Sequence, residues 1–178
     1  RLSFFLLAFF FFVIGISRPQ MGAILKEHKT RGAEVMIVLD VSNSMLAEDY
    51  SPNRLERAKL AISRVVDKLR DDRIGLVVFA GNSFVQLPIT TDYVSAKMFL
   101  SSISTGSVPI QGTAIGEAIG TALRSFSAQS DRSRAIIVIT DGENHEDDPV
   151  AAASQAAEMG VRVFTIGVGS PEGKMIPF

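Results

Sequence analysis

Between residues 34 and 178, short apolar runs alternate with stretches of helical periodicity. Val35–Leu39 is an unbroken apolar run and reads as a buried strand. Ser51-Pro52-Asn53 then opens a helix, with Asn53 and Glu56 at capping-box spacing. Leu55, Ala58, Ile62, Val65, Val66 and Leu69 follow its 3.6-residue period. Ile74–Phe79 is a second strand, and Gly81-Asn82 a turn. Phe84–Leu87 returns as a short antiparallel strand that Pro88 stops, as expected near a sheet edge. Thr91-Asp92 caps a helix carrying Val94, Met98, Phe99 and Ile103. A further helix runs from about Ala114, with Ile115, Ala118, Ile119, Ala122, Leu123 and Phe126 on one face. Its Gly116 and Gly120 have the spacing of a membrane-dimer motif, but close packing against a sheet accounts for them more simply. Ala135–Thr140 is the most hydrophobic strand, which predicts a central position. Ala151–Met159 is a helix ended by Gly160, and Val161–Ile166 is the last strand. The pattern predicts an α/β fold. Its sheet is doubly wound and mostly parallel, with one antiparallel edge strand and helices on both faces.

The chain starts differently. Leu2 to Ile16 is almost entirely apolar and holds six of the twelve phenylalanines. No polar face interrupts it, so a core helix is disfavoured. A span needs about 20 residues, so the expectation is a transmembrane helix over 1–17 that has lost its beginning. A secretory signal is the rival, but Ser17-Arg18-Pro19-Gln20 is a poor cleavage site. Residues 18–33, with Arg18, Lys26, Lys29 and Arg31, read as a juxtamembrane linker. Residues 34–178 are the size of one domain.

Composition narrows the chemistry. The net charge is −1, with no basic cluster, so nucleic acid is not an expected partner. With no cysteine, disulfides and thiolate metal sites are excluded.

Three segments place oxygen ligands at the carboxyl ends of strands, where open α/β sheets bind ligands. The first is Asp40-Val41-Ser42-Asn43-Ser44, a D-x-S-x-S string leaving the first strand. The second is Thr113, in Gly112-Thr113 before a helix. The third is Asp141, closing Ile136–Thr140. Carboxylates and hydroxyls suit Mg²⁺, Mn²⁺ or Ca²⁺ rather than zinc. Fully extended, Asp40 and Ser44 would lie roughly 13 Å apart, too far for one ion, so the loop must curl. Taken singly, each segment has a plain structural account as a turn or a cap. Their combination, in this order, is what points to a metal site. Glu143, Glu146, Asp147 and Asp148 put four acids in six residues beyond it. With His145 they form either a partner-binding rim or a solvated acidic loop.

These residues resemble the von Willebrand factor A domain, and more closely the membrane-anchored BatA/BatB group of bacteria, named for aerotolerance in Bacteroides. The supporting strings are Arg18-Pro19-Gln20, Asp49–Leu55, Asp72–Gly81, Pro88–Tyr93 and Ile139–Asn144, and they lean toward BatB. The resemblance implies a metal-ion-dependent adhesion site. Ser42 and Ser44 would bind the cation, Mg²⁺ first, through their hydroxyls. Thr113 would bind directly or through water, and Asp40 and Asp141 largely through water. It also implies a further helix and strand after Gly167-Val168-Gly169. The implied partners are other Bat-type proteins and a MoxR-type AAA+ ATPase system, at the bacterial inner membrane with this domain in the periplasm.

Two other functions stand beside this non-enzymatic one. A Mg²⁺-dependent hydrolase would use Asp40 or Ser42 as nucleophile. It needs a base, and the histidines are only His28, in the linker, and His145. The other is a metal-free structural module of the same complex.

Overall fold

The apolar run at 35–39 lies at the middle of a five-stranded sheet. In the computed structural model, residues 2–16, 32–127, 130–142 and 147–170 are described. The strands are β1 (Glu34–Asp40), β2 (Arg73–Phe79), β3 (Ser83–Thr90), β4 (Arg134–Thr140) and β5 (Val161–Gly167). Their spatial order is β3-β2-β1-β4-β5, with β3 antiparallel to β2 and the other pairings parallel. The expected α/β sheet with one antiparallel edge strand is therefore observed. The most hydrophobic run, β4, sits beside the centre rather than at it. Pro88 does not end β3. The strand runs on to Thr90 through register irregularities against β2, and an edge strand tolerates the missing N–H.

Alternation along the strands divides the core. Ile37, Leu39, Ile74, Leu76 and Val78 face α2 (Arg54–Val66) and α3 (Tyr93–Ser102). Met36, Val38, Val77, Phe79, Ile136 and Val138 face α4 (Ile115–Arg124) and α5 (Pro149–Glu158). Helices thus cover both faces, as period-2 strands buried on both sides require.

Caps fix where the helices begin. Asn53 accepts from the Glu56 N–H, Asp92 from the Ser95 N–H, and Asp148 from the Val150 and Ala151 N–H groups. Gly160 stands at φ +72° just past the C-cap of α5 and lets the chain reverse into β5. On α3 the expected core face is only partly right. Val94 and Met98 are exposed, and the short Ala96 with Leu100 and Ile103 fills the core. Gly116 does not pack against the sheet. A Cβ there would lie 2.9 Å from Asp147 Oδ2, so it is the loop before α5 that approaches.

The chain divides into two units, and the first of them contains α1 (Leu2–Ile16). Its 15 residues make a rod of about 22 Å, short of the ~30 Å hydrocarbon core. Among the described residues no helix is long and apolar enough to cross a membrane. The helix expected over 1–17, read as one that has lost its beginning, is described as α1 over Leu2–Ile16 and by itself is too short to span.

Candidate metal centre

The curl that the D-x-S-x-S string requires is present. Val41 extends the β1–β2 pairing by one bond, its N–H donating to Phe79 O at 2.8 Å. Asn43–Leu46 then closes into a 3₁₀ turn, with Met45 N–H on Ser42 O and Ala47 N–H on Ser44 O. Val41 and Met45 are fully buried and draw this turn onto the core. The Ser42 and Ser44 hydroxyl oxygens are thereby brought to 2.9 Å of each other.

Asp40 lies behind them, with no solvent exposure. One carboxylate oxygen accepts from the Ser42 N–H at 2.9 Å, and the other from the Thr140 hydroxyl at 2.6 Å. Burial pushes the Asp40 carboxyl above its usual range. Hydrogen bonds from Ser42 and Thr140 oppose that shift, and the nearby charge of Asp141 adds to it. Thr140 also accepts from the Gly142 N–H, which orders the exit of β4 on which Asp141 stands.

Thr113 is buried in the loop leading into α4. Backbone bonds from Gly81 N–H to Ile110 O and from Ala114 N–H to Ala80 O seat that loop at the end of β2. Gln111 joins it to the serine turn: its Oε1 accepts from the Asn43 N–H at 3.0 Å, and its Nε2 donates to Thr105 O. The three segments picked out in the sequence thus meet at one edge of the sheet.

A second layer of contacts has no counterpart in the sequence pattern. Arg54, the first residue of α2, donates through Nε and Nη2 to Asp49 and through Nη1 to Asp141 Oδ2 at 3.0 Å. Asp49 also accepts from the Ser170 N–H at 2.7 Å. Hydrogen bonding from Arg54 comes first among the causes that hold the Asp49 carboxyl at about 2. Arg54 lies within a motif string noted above, but its partner Asp141 is 87 residues away, and no local pattern reveals such a pairing. The expected acidic rim is partly a set of caps. Asp147 accepts from the Glu117 N–H in the first turn of α4, and Asp148 is the N-cap of α5. Glu143, His145 and Glu146 lie outside the described residues.

The donor set fits a hard cation. It is oxygen-only, with neutral hydroxyls in front and a buried carboxylate behind. Among the described residues no cluster of three or more His, Cys, Asp or Glu is placed to hold a metal.

The chain belongs to the von Willebrand factor type A domain family, whose model matches residues 34–175. Within that family it fits the BatB group. It is 62% identical to the crystal structure of BatB from Bacteroides thetaiotaomicron, with a TM-score of 0.80, covering 83% of this chain and 72% of that one. It is 58% identical to an aerotolerance-related membrane protein from Bacteroides fragilis, again with a TM-score of 0.80, covering 83% of this chain and 73% of that one. An uncharacterized protein of Borreliella burgdorferi is 34% identical over 99% of this chain and 52% of its own length. The chain spans about half the length of the curated relatives it matches.

Proposed function

We propose that this chain is a membrane-tethered, non-enzymatic interaction module that docks a partner protein through a bound divalent cation. Mg²⁺ is the first choice of ion. The carrying observation is the Ser42–Ser44 hydroxyl pair, 2.9 Å apart in front of a buried Asp40. Ser42, Ser44 and Thr113 would hold the ion, with Asp40 and Asp141 acting through water. Hydroxyls carry no charge, so an ion held this way keeps much of its positive field. An acidic side chain from a partner completes the coordination and gains a charge-assisted contact. The placement of Asp40 speaks against a nucleophile, because it is buried and both its oxygens accept hydrogen bonds.

The apolar run at residues 1–17 would be the membrane tether, and 18–33 the linker to the domain at 34–178. The Bacteroides fragilis neighbour, described as an aerotolerance-related membrane protein, supports that placement and the link to aerotolerance. Other Bat-type proteins and a MoxR-type AAA+ ATPase system are the proposed partners, and the periplasmic side of the inner membrane the proposed location. Glu143, His145 and Glu146 would form the rim that meets the partner.

The test is affinity capture from bacterial membranes with the wild-type chain and Ser42→Ala, each with and without EDTA. The expected result is a partner retained only by wild type in the presence of divalent cation. Equal retention in all four samples would favour a metal-free structural module instead.

A further inference from the structure

Arg54 reaches a carboxylate of the candidate site, Asp141. Its side chain is only 11% exposed, and the two carboxylates it joins are more buried still, at 3% for Asp49 and 2% for Asp141. Its far side is held by two N–H groups on Asp49 at 2.9 to 3.1 Å, a fork that fixes the plane of the guanidinium. The remaining arm points across to Asp141 Oδ2 at 3.0 Å. A Cβ on Gly169 would lie 3.4 Å from the guanidinium carbon, so the chain after β5 closes over it. Surface ion pairs hold two mobile side chains and contribute little. This guanidinium is immobilised before it meets Asp141.

Resting on the cation-binding reading above, we propose that Arg54 sets the ion selectivity of the site by holding one oxygen of Asp141. Ca²⁺ takes six to eight oxygens at about 2.3–2.6 Å, and commonly a carboxylate in bidentate fashion. With Oδ2 engaged by Arg54, Asp141 cannot swing in to offer both oxygens to a large ion. Mg²⁺ wants six ligands at about 2.1 Å and keeps several of them as water. A site with hydroxyls in front and Asp141 held back suits that ion and Mn²⁺. The guanidinium charge acts in the same direction. It lowers the net negative charge facing the ion, and ligand charge is one of the quantities that tune Ca²⁺ affinity.

The selectivity therefore depends on a residue that need never touch the ion, and Arg54 is a positioning residue rather than a ligand.

The experiment is calorimetric titration of the chain with Mg²⁺, Mn²⁺ and Ca²⁺ at constant ionic strength. The samples are wild type, Arg54→Met, Asp49→Asn and Ser42→Ala. Arg54→Met keeps length and apolar bulk but removes the fork. Asp49→Asn keeps Arg54 and loosens its anchor, and supplies the readout if Arg54→Met does not fold. Wild type is expected to prefer Mg²⁺ over Ca²⁺. In Arg54→Met the ratio of the two affinities should fall about fivefold or more, chiefly through tighter Ca²⁺, with a smaller fall in Asp49→Asn. An unchanged ratio in the folded variants, with cation binding still abolished by Ser42→Ala, overturns the role of Arg54 and leaves the cation site standing. Cation binding that is absent from wild type, or indifferent to Ser42→Ala, overturns the site itself and this role with it.

Discussion

Replacing Asp40 by Asn removes one negative charge from the sheet edge and changes almost nothing in shape. The carboxylate is fully buried and accepts from the Ser42 N–H and the Thr140 hydroxyl. An Asn carbonyl can keep the first bond, and its amide can donate to Thr140, whose oxygen carries a second lone pair beside the one taken by Gly142. Hydrogen bonds to a charged group are worth about 1.5–3 kcal/mol and neutral ones about 0.5–1.5, so the two bonds together lose about 2 kcal/mol. Against this stands the charge itself. An ion taken out of water carries an effective penalty of several kcal/mol, here increased by the neighbouring Asp141. In EDTA, Asp40→Asn should therefore match wild type or exceed it by up to about 2 kcal/mol, a rise of about 2–4 °C per kcal/mol for a chain of this size. With Mg²⁺ at about a hundred times its dissociation constant, wild type should gain about 2.7 kcal/mol and the variant nothing. Thermal unfolding of both proteins, with EDTA and with Mg²⁺, should show their order reverse. A variant less stable than wild type in EDTA by more than about 2 kcal/mol would mean the fold itself needs the carboxylate. An equal Mg²⁺ gain in both proteins would remove Asp40 from the site.

Three further outcomes are expected. Asp49 has a folded value of about 2, below the usual carboxylate value near 4. Its stabilisation is therefore complete above about pH 4 and is lost as pH falls through about 2. Urea midpoints taken down this range should drop more steeply for wild type than for Asp49→Asn, and parallel curves would reject the role of Arg54 in holding that carboxylate. Asp147→Ala removes the acceptor for the Glu117 N–H at the start of α4, where Ala114 offers no side-chain cap, and should cost about 1 kcal/mol in chemical denaturation. Gly116→Ala should displace the same carboxylate, since its Cβ would lie 2.9 Å from Asp147 Oδ2. The two changes should therefore be less than additive, and full additivity would show that the cap and the close approach are unrelated. Glu34→Met replaces a fully buried carboxylate whose Oε2 has no partner among the described residues and whose Oε1 lies 3.4 Å from Arg73. It should be neutral or stabilising by about 1 kcal/mol by the same measurement, and a loss of more than about 2 kcal/mol would refute that.

The elements that were legible in the sequence share a physical cause. The strands β1, β2 and β4 are apolar runs largely buried between the helix layers, and two helices begin at the expected caps Asn53 and Asp92. Asp40, Ser42, Ser44, Thr113 and Asp141 could be picked out because each stands at a strand exit or a helix entrance, where backbone direction is set locally. What escaped were long-range pairings between polar side chains. Thr140 on Asp40, Arg54 on Asp141 and Gln111 on Asn43 join residues 100, 87 and 68 positions apart. Polar partners leave no periodic trace, and their sequence neighbours are ordinary turn and cap residues. The capping roles of Asp147 and Asp148 escaped for a related reason. Composition alone does not distinguish a binding rim from carboxylates that close helix ends, as Asp147 and Asp148 do.

The strand order has a consequence for how the protein is made. β1, β2 and β3 are consecutive in the chain and adjacent in the sheet, so they can pair as soon as they leave the ribosome. By then Asp40, Ser42 and Ser44 have been synthesised, and Thr113 follows with α4. Thr140 and Asp141 arrive only with β4, which must dock on the opposite flank of β1 across a separation of about a hundred residues. A cation held by Ser42, Ser44 and Thr113 would lack the water-mediated support of Asp141 until β4 docks, and would bind the half-built sheet more weakly. It would favour the last long-range pairing over states that lack it, so the ion would act as a clasp on finished molecules rather than as a nucleus for folding.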